Sequence, residues 1–327
     1  MRIVDGLKGA GDLLVNQLAH GCALAMVLLV AAPLAAAAQE PPTEEYLAAH
    51  PDEFLVGAIK ALKWDVPIEP AHIVGPIYYV GTAGLGAYLI TTSEGHIIVN
   101  TGLPSSGQMM LDDIVALGFK PEDVKVLLSV HAHTDHAGAI ALLKEATSAE
   151  FAMMEGDVSA MLDGGRSDFH YGEDEGFYFP PATVDRVLRD GDVVRLGDVA
   201  ITALNMGGHT RGNTTFVLDV IEDGKSYNVV ISDGAGFNPG YRLAVDESYP
   251  GIGDDYRRNL GKLELLKPDI WLGSHAERFD LVDRIARAKA GDGVDAWLNH
   301  EQYRQQIVYQ RNLFEAQVNK ELGATPE

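Results

Sequence analysis

Cysteine is almost missing from this 327-residue chain, whose single example is Cys22. One thiol cannot close an internal disulfide, and a structural zinc site made of four cysteines is excluded. Basic residues are also few: 25 Lys and Arg stand against 47 Asp and Glu, a net charge of -22. Such a surface disfavours nucleic acid and anionic membranes, and it leaves any recognition of a carboxylate to groups local to a site. No G-x-G-x-x-G opens a helix, so Gly81, Gly84 and Gly86 read as turn glycines rather than a nucleotide cradle. Neither a G-x-S-x-G elbow nor an S-x-x-K sequence occurs, and no serine is marked as a nucleophile.

Long apolar runs are absent too. Residues 23–32 form an apolar stretch that is short for a membrane span, and small residues follow at Ala35 to Ala38. Residues 1–38 are therefore expected to be a secretory signal peptide, with export to a periplasm and no stable membrane association after cleavage. Residues 39–327 are expected to form a single domain with an N-terminal arm. The 46% hydrophobic content suffices for a large core. The arm, residues 39–70, carries one short helical pattern at 54–62 and either covers a site or is a mobile lead-in.

What is present is an alternation of strands and helices. Residues 73–100 read as three strands of an antiparallel meander. Helices are expected at 106–117, 139–144, 256–266, 281–290 and 300–322. Residues 126–130 and 269–273 read as buried strands. A further strand at 151–154 makes Met153 and Met154 core residues. Residues 186–206 read as a pair of strands, and 214–231 as a hairpin turning at Asp223-Gly224. Strands followed by helices, twice over, fit an α/β fold: an αββα sandwich of two β-sheets with outer helices. Residues 162–180 form a long polar and aromatic loop of the kind that often serves function; His170 within it is expected to be structural.

The densest chemistry follows the strand at 126–130. His131, His133, Asp135 and His136 fall within six residues and stand between that strand and a helical pattern. Imidazole and carboxylate together suit zinc, and also iron or manganese. His131 and His133 are two apart, so an extended backbone points both the same way. Asp135 and His136 follow where the chain turns and can reach a second point nearby. Two further histidines end apolar strands: His209 in Gly207-Gly208-His209-Thr210-Arg211-Gly212-Asn213, and His275 in Gly273-Ser274-His275-Ala276-Glu277.

These stretches resemble the metallo-β-lactamase superfamily. Together with Gly164-Gly165-Arg166-Ser167-Asp168-Phe169-His170-Tyr171 and Asn238-Pro239-Gly240-Tyr241, they are similar to its subclass B3, from about Ile73 onward. The lack of cysteine argues against subclasses B1 and B2, where a Cys ligates the second metal. The resemblance implies two zinc ions per chain, one held by His131, His133 and His209 and the other by Asp135, His136 and His275. It implies a monomeric hydrolase that opens the amide of a small β-lactam antibiotic with zinc-activated water, conferring resistance. Asp135 and Tyr241 are the implied catalytic residues, Asp135 orienting the water and Tyr241 helping at the oxyanion; packing is the alternative for Tyr241. The sequence also departs from the subclass. Gly234 stands where relatives place a serine for the substrate carboxylate, and Asn100 where the superfamily often has Asp. Asp233 matches a strand-end position from which some superfamily hydrolases bridge both metals, although the other B3-like stretches favour a turn role for it before Gly234. Related zinc hydrolysis of thioesters, lactones or phosphoesters therefore remains an alternative, as does a non-catalytic exported metal-binding protein.

Overall fold

The structure is a computed structural model that describes residues 42–323, so the expected signal peptide lies outside the described residues. Two mixed sheets lie face to face. The first has seven strands in chain order: β1 (Ala71–Val74), β2 (Ile77–Tyr79), β3 (Tyr88–Thr92), β4 (Gly95–Val99), β5 (Val124–Leu128), β6 (Glu150–Met154) and β7 (Arg186–Leu188). The second runs β12 (Ile270–Gly273), β11 (Lys225–Ser232), β10 (Thr214–Glu222), β9 (Val199–Asn205) and β8 (Asp192–Leu196).

Alternation along the strands builds the layers. In β3, Tyr88 and Ile90 point into the core between the sheets, while Leu89 packs outward with Ile98, Leu127 and Phe151. That outer face is covered by Met110 and Ile114 of α3 (Gly107–Ala116) and by Ile140 and Leu143 of α5 (Ile140–Thr147). Both faces of the sheet are buried, which is why β5 reads as a nearly unbroken apolar run. The second sheet is covered by α7 (Ile252–Leu265) and α9 (His300–Glu321), through Tyr256, Leu260, Tyr303 and Phe314. Met153 and Met154 are core residues, each 1% exposed.

Two strand counts differ from the sequence reading. The meander has four strands rather than three, because the chain turns at Gly75 with φ +52. A Cβ there would stand 2.9 Å from the Ile221 carbonyl, so glycine is required. The stretch 186–206 holds three strands, and its first, β7, joins the other sheet by pairing parallel with β6. The hairpin β10–β11 turns at Asp223 and Gly224, both at positive φ, as a two-residue loop requires. Among the described residues no helix is long and apolar enough to cross a membrane.

This topology brings distant loops to one edge. Parallel pairing of β4 with β5 sets Val99 beside Leu128, and parallel pairing of β11 with β12 sets Ser232 beside Gly273. The loops after all four strands therefore open in one place. An isolated bridge between Leu85 and His275 ties the sheets together there.

Candidate metal centre

Every histidine and aspartate of the expected ligand set arrives at this edge. His131 and His133 lie on the bending loop that leaves β5, and Asp135 and His136 sit on the single turn α4 (Thr134–Ala137). His209 follows β9, and His275 follows β12. All six are buried, between 1% and 8% exposed. Donor atoms of His131, His133 and His209 lie within 4.8 Å of one another, as do those of Asp135, His136 and His275. His131, His136 and Asp233 form a third such group.

The ring hydrogen bonds decide which nitrogens face inward. His133 Nε2 lies 3.3 Å from Asp168 Oδ2, and His209 Nδ1 lies 3.1 Å from the Gly236 carbonyl. Each ring therefore donates outward and turns its other nitrogen to the centre. Those two inward nitrogens, His133 Nδ1 and His209 Nε2, are 3.1 Å apart. Zinc–nitrogen bonds of about 2.0–2.1 Å in a tetrahedron need a nitrogen separation of about 3.3–3.4 Å, so the pair fits one ion. Both nitrogens of His131 and Nδ1 of His136 are buried without a hydrogen-bond partner, as are His275 Nδ1 and Asp233 Oδ2. Buried polar atoms rarely stay unsatisfied, and a cation answers this collection of lone pairs.

Charge states agree for three of the rings; burial lowers the pKa of the His133 ring, but Asp168 more than offsets it and raises it. Burial, then the neighbouring histidines, hold the His131 ring well below its ordinary pKa. Burial and then His133 bring His209 down to about 4; burial and then Arg278 bring His275 down to about 3. These three rings are neutral at pH 7, the form that ligates metal. Burial pushes the Asp135 carboxyl up, but His136 and His275 more than offset it and hold it well below the usual carboxylate range. Its Oδ2 lies 3.0 Å from His136 Nε2 and 3.6 Å from His275 Nε2.

Residues around the donors hold them in place. Asp168, from the long loop, meets His133 with Oδ2 while its Oδ1 accepts from the backbone of His170 and Tyr171 at 2.8 and 2.7 Å. Burial raises the Asp168 carboxyl, yet these partners take it down to about 2. Asp168→Asn keeps the shape and removes the charge that selects the His133 tautomer. Metal affinity should fall about 10–100-fold, read by competition with a chromophoric chelator; unchanged affinity would deny Asp168 this role. Asp157 is a buried staple that the sequence reading did not single out. It accepts from Ala132 N at 3.0 Å, Thr210 Oγ1 at 2.7 Å and Gly212 N at 2.7 Å, joining the two histidine loops. Its only sequence signal is Gly212, where a Cβ would stand 2.6 Å from Asp157 N.

Three expected site positions take different parts. Tyr241 is 1% exposed and donates its hydroxyl to the His209 carbonyl at 2.7 Å. It supports the His209 loop from beneath, because its ring is packed against Phe169 and His170 and its oxygen is spent on backbone. Asn100 spends its amide on Val130 N, the Gly86 carbonyl and Ser274 Oγ, bracing the loops rather than a ligand ring. Asp233 is 1% exposed and reaches the ligands: Oδ1 lies 3.6 Å from His275 Nε2 and 2.9 Å from Arg278 Nη1. His170 hydrogen-bonds the Pro239 carbonyl at 3.0 Å and belongs to none of the three donor groups.

A cleft of about 720 Å³, solvent at its mouth included, opens above His133, Asp135, His209 and His275. The N-terminal arm covers one side of it. Phe54, Leu55 and Ala58 of α2 (Pro51–Ala61) line the cleft, and Trp64 packs its ring 5.3 Å from that of His275.

An αββα sandwich with paired His/Asp donor sets under an apolar cleft defines a class of metal-dependent hydrolases. The profile of the metallo-beta-lactamase superfamily matches residues 87–220. Native FEZ-1 metallo-beta-lactamase from Legionella gormanii is 41% identical, with a TM-score of 0.77 over 79% of this chain and 98% of that one. BJP-1 of Bradyrhizobium japonicum, a subclass B3 metallo-beta-lactamase, is 34% identical, with a TM-score of 0.73 over 81% and 98%. The chain belongs to the metallo-beta-lactamase superfamily and has its hydrolase fold. Curated relatives are more varied. An acyl-coenzyme A thioesterase of Gallus gallus is 32% identical over 149 residues, 38% of this chain and 50% of that one. The chain spans from about a quarter to about half of the length of the curated relatives it matches.

Proposed function

We propose that the protein is a dinuclear zinc β-lactamase of the B3 type, opening the amide of penicillins, cephalosporins and carbapenems and thereby conferring resistance. One observation carries this reading: two complete three-residue donor sets coincide with a likeness spanning nearly the whole length of solved β-lactamases. In it, His131, His133 and His209 hold one zinc, and Asp135, His136 and His275 the other. Zinc supplies Lewis acidity toward a carbonyl oxygen and brings the pKa of water from about 15.7 toward about 7. The chain's own residues do the remainder. Asp135, ionised at the cleft floor, accepts a hydrogen bond from the attacking water and orients it. The apolar wall from α2 seats the fused rings and limits water at the reacting carbonyl. No enzyme nucleophile is required. The apolar stretch at residues 23–32 supports export to a periplasm, and the protein works as a monomer.

The test is turnover by the zinc-loaded protein. Loss of lactam absorbance with a carbapenem and a cephalosporin should stop with EDTA and return with zinc. Intact lactams beside rapid thioester cleavage would move the protein to a second reading, a thioester or lactone hydrolase. Asp233 favours that alternative, because its Oδ2 is buried without a hydrogen-bond partner and the residue groups with His131 and His136.

A further inference from the structure

Gly234 cannot host the serine that the B3 resemblance leads one to expect. Its φ is +81, and a Cβ there would stand 2.6 Å from Gln310 Nε2 and 2.7 Å from Gln310 Oε1. That amide is 3% exposed, and its oxygen already accepts from Ala235 N at 2.9 Å. A substrate carboxylate needs another partner, and a surface carrying a net charge of -22 offers no general attraction.

Arg278 is the cation that lines the cleft beside His275 and His209. Its Nη1 is held by the Asp233 carbonyl at 2.7 Å and Asp233 Oδ1 at 2.9 Å, and its Nε lies 4.0 Å from Glu277 Oε1. Nη2 donates to no acceptor among the described residues, and the side chain keeps 18% of its surface exposed. Gly236 stands beside it: a Cβ on that glycine would meet Nη2 at 3.7 Å, an ordinary contact. The same glycine is anchored beside the metal centre, its carbonyl accepting from His209 Nδ1 at 3.1 Å and from the Tyr256 hydroxyl at 2.9 Å. A guanidinium fixed on one edge and open on the other is prepared to receive a planar anion.

We propose that Arg278 binds the ring carboxylate of the substrate through its free Nη2 edge, in place of the serine that Gly234 precludes. The assignment rests on the β-lactamase reading and names the group that selects anionic lactams. Asp233 is the positioning residue that aims the guanidinium.

The test compares a cephalosporin with the methyl ester of its ring carboxylate, using zinc-loaded protein. Wild type should prefer the free acid by about 10–100-fold in kcat/KM, the range expected of a charged hydrogen bond. The preference should fall toward one in Arg278→Ala and be partly retained in Arg278→Lys, which keeps the charge without the fork. Arg278→Ala leaves Asp233 buried without its cation and destabilises the fold; the double variant Asp233→Asn, Arg278→Met removes both charges and should lose the preference equally. Equal turnover of acid and ester by wild type, or a preference that survives in the double variant, overturns the role of Arg278 while the β-lactamase reading stands. A wild-type protein that cleaves thioester and neither lactam overturns both.

Discussion

His133→Ala is expected to lose one zinc and at least about three orders of magnitude in kcat/KM, or roughly 4 kcal/mol of transition-state stabilisation. The ring serves two neighbours at once. Nδ1 faces His209 Nε2 at 3.1 Å, and Nε2 meets Asp168 at 3.3 Å. Alanine removes one donor of a three-residue set and leaves a carboxylate, 5% exposed, with only backbone partners. Metal content by atomic emission and turnover at saturating zinc are measured together. His170→Ala is the control: its ring bonds the Pro239 carbonyl at 3.0 Å, so zinc content should be kept. Near-wild-type zinc in His133→Ala would remove the ligand assignment.

Asp157→Ala should cost about 3–5 kcal/mol of stability, because each buried donor left without an acceptor costs about 1–3 kcal/mol. Three donors, Ala132 N, Thr210 Oγ1 and Gly212 N, would be left facing an apolar methyl in a site where the aspartate is 3% exposed. At about 2–4 °C per kcal/mol for a domain near this size, the midpoint should fall by roughly 10 °C. The measurement belongs on metal-free protein, because bound zinc adds stability of its own by mass action. Asp157→Asn retains one acceptor oxygen and should lose less. Zinc affinity should weaken as well, since the staple holds the His131–His133 loop against the His209 loop. An unchanged midpoint for metal-free Asp157→Ala would show that the loops do not depend on it.

The donor set was legible because its chemistry is local. Four of the six ligand candidates lie within six residues after an apolar strand, and His209 and His275 also end strands. β5 and β12 pair parallel with their neighbours, and β9 runs the same way as β11 because both are antiparallel to β10, so these strand ends reach one edge. The hairpin turn at Asp223-Gly224 was legible for a similar reason, since two positive-φ residues between apolar strands leave few alternatives. Tyr241 was not legible. Its neighbourhood was recognisable, but the direction of its hydroxyl depends on where the His209 loop passes, and that loop is 32 residues away.

Taken by itself, then, the amino-acid sequence determined the layered α/β architecture and singled out the six candidate ligands. These follow from periodicity, composition and short spacings, which survive without coordinates. Tertiary structure alone decided what surrounds the ligands. Asp157 binds loops 25 and 55 residues away, Asp168 reaches back 35 residues to His133, and Arg278 meets Asp233 across 45. A buried carboxylate or guanidinium takes its role from the donors and acceptors that folding places within about 3 Å of it, and separation along the chain does not encode that distance.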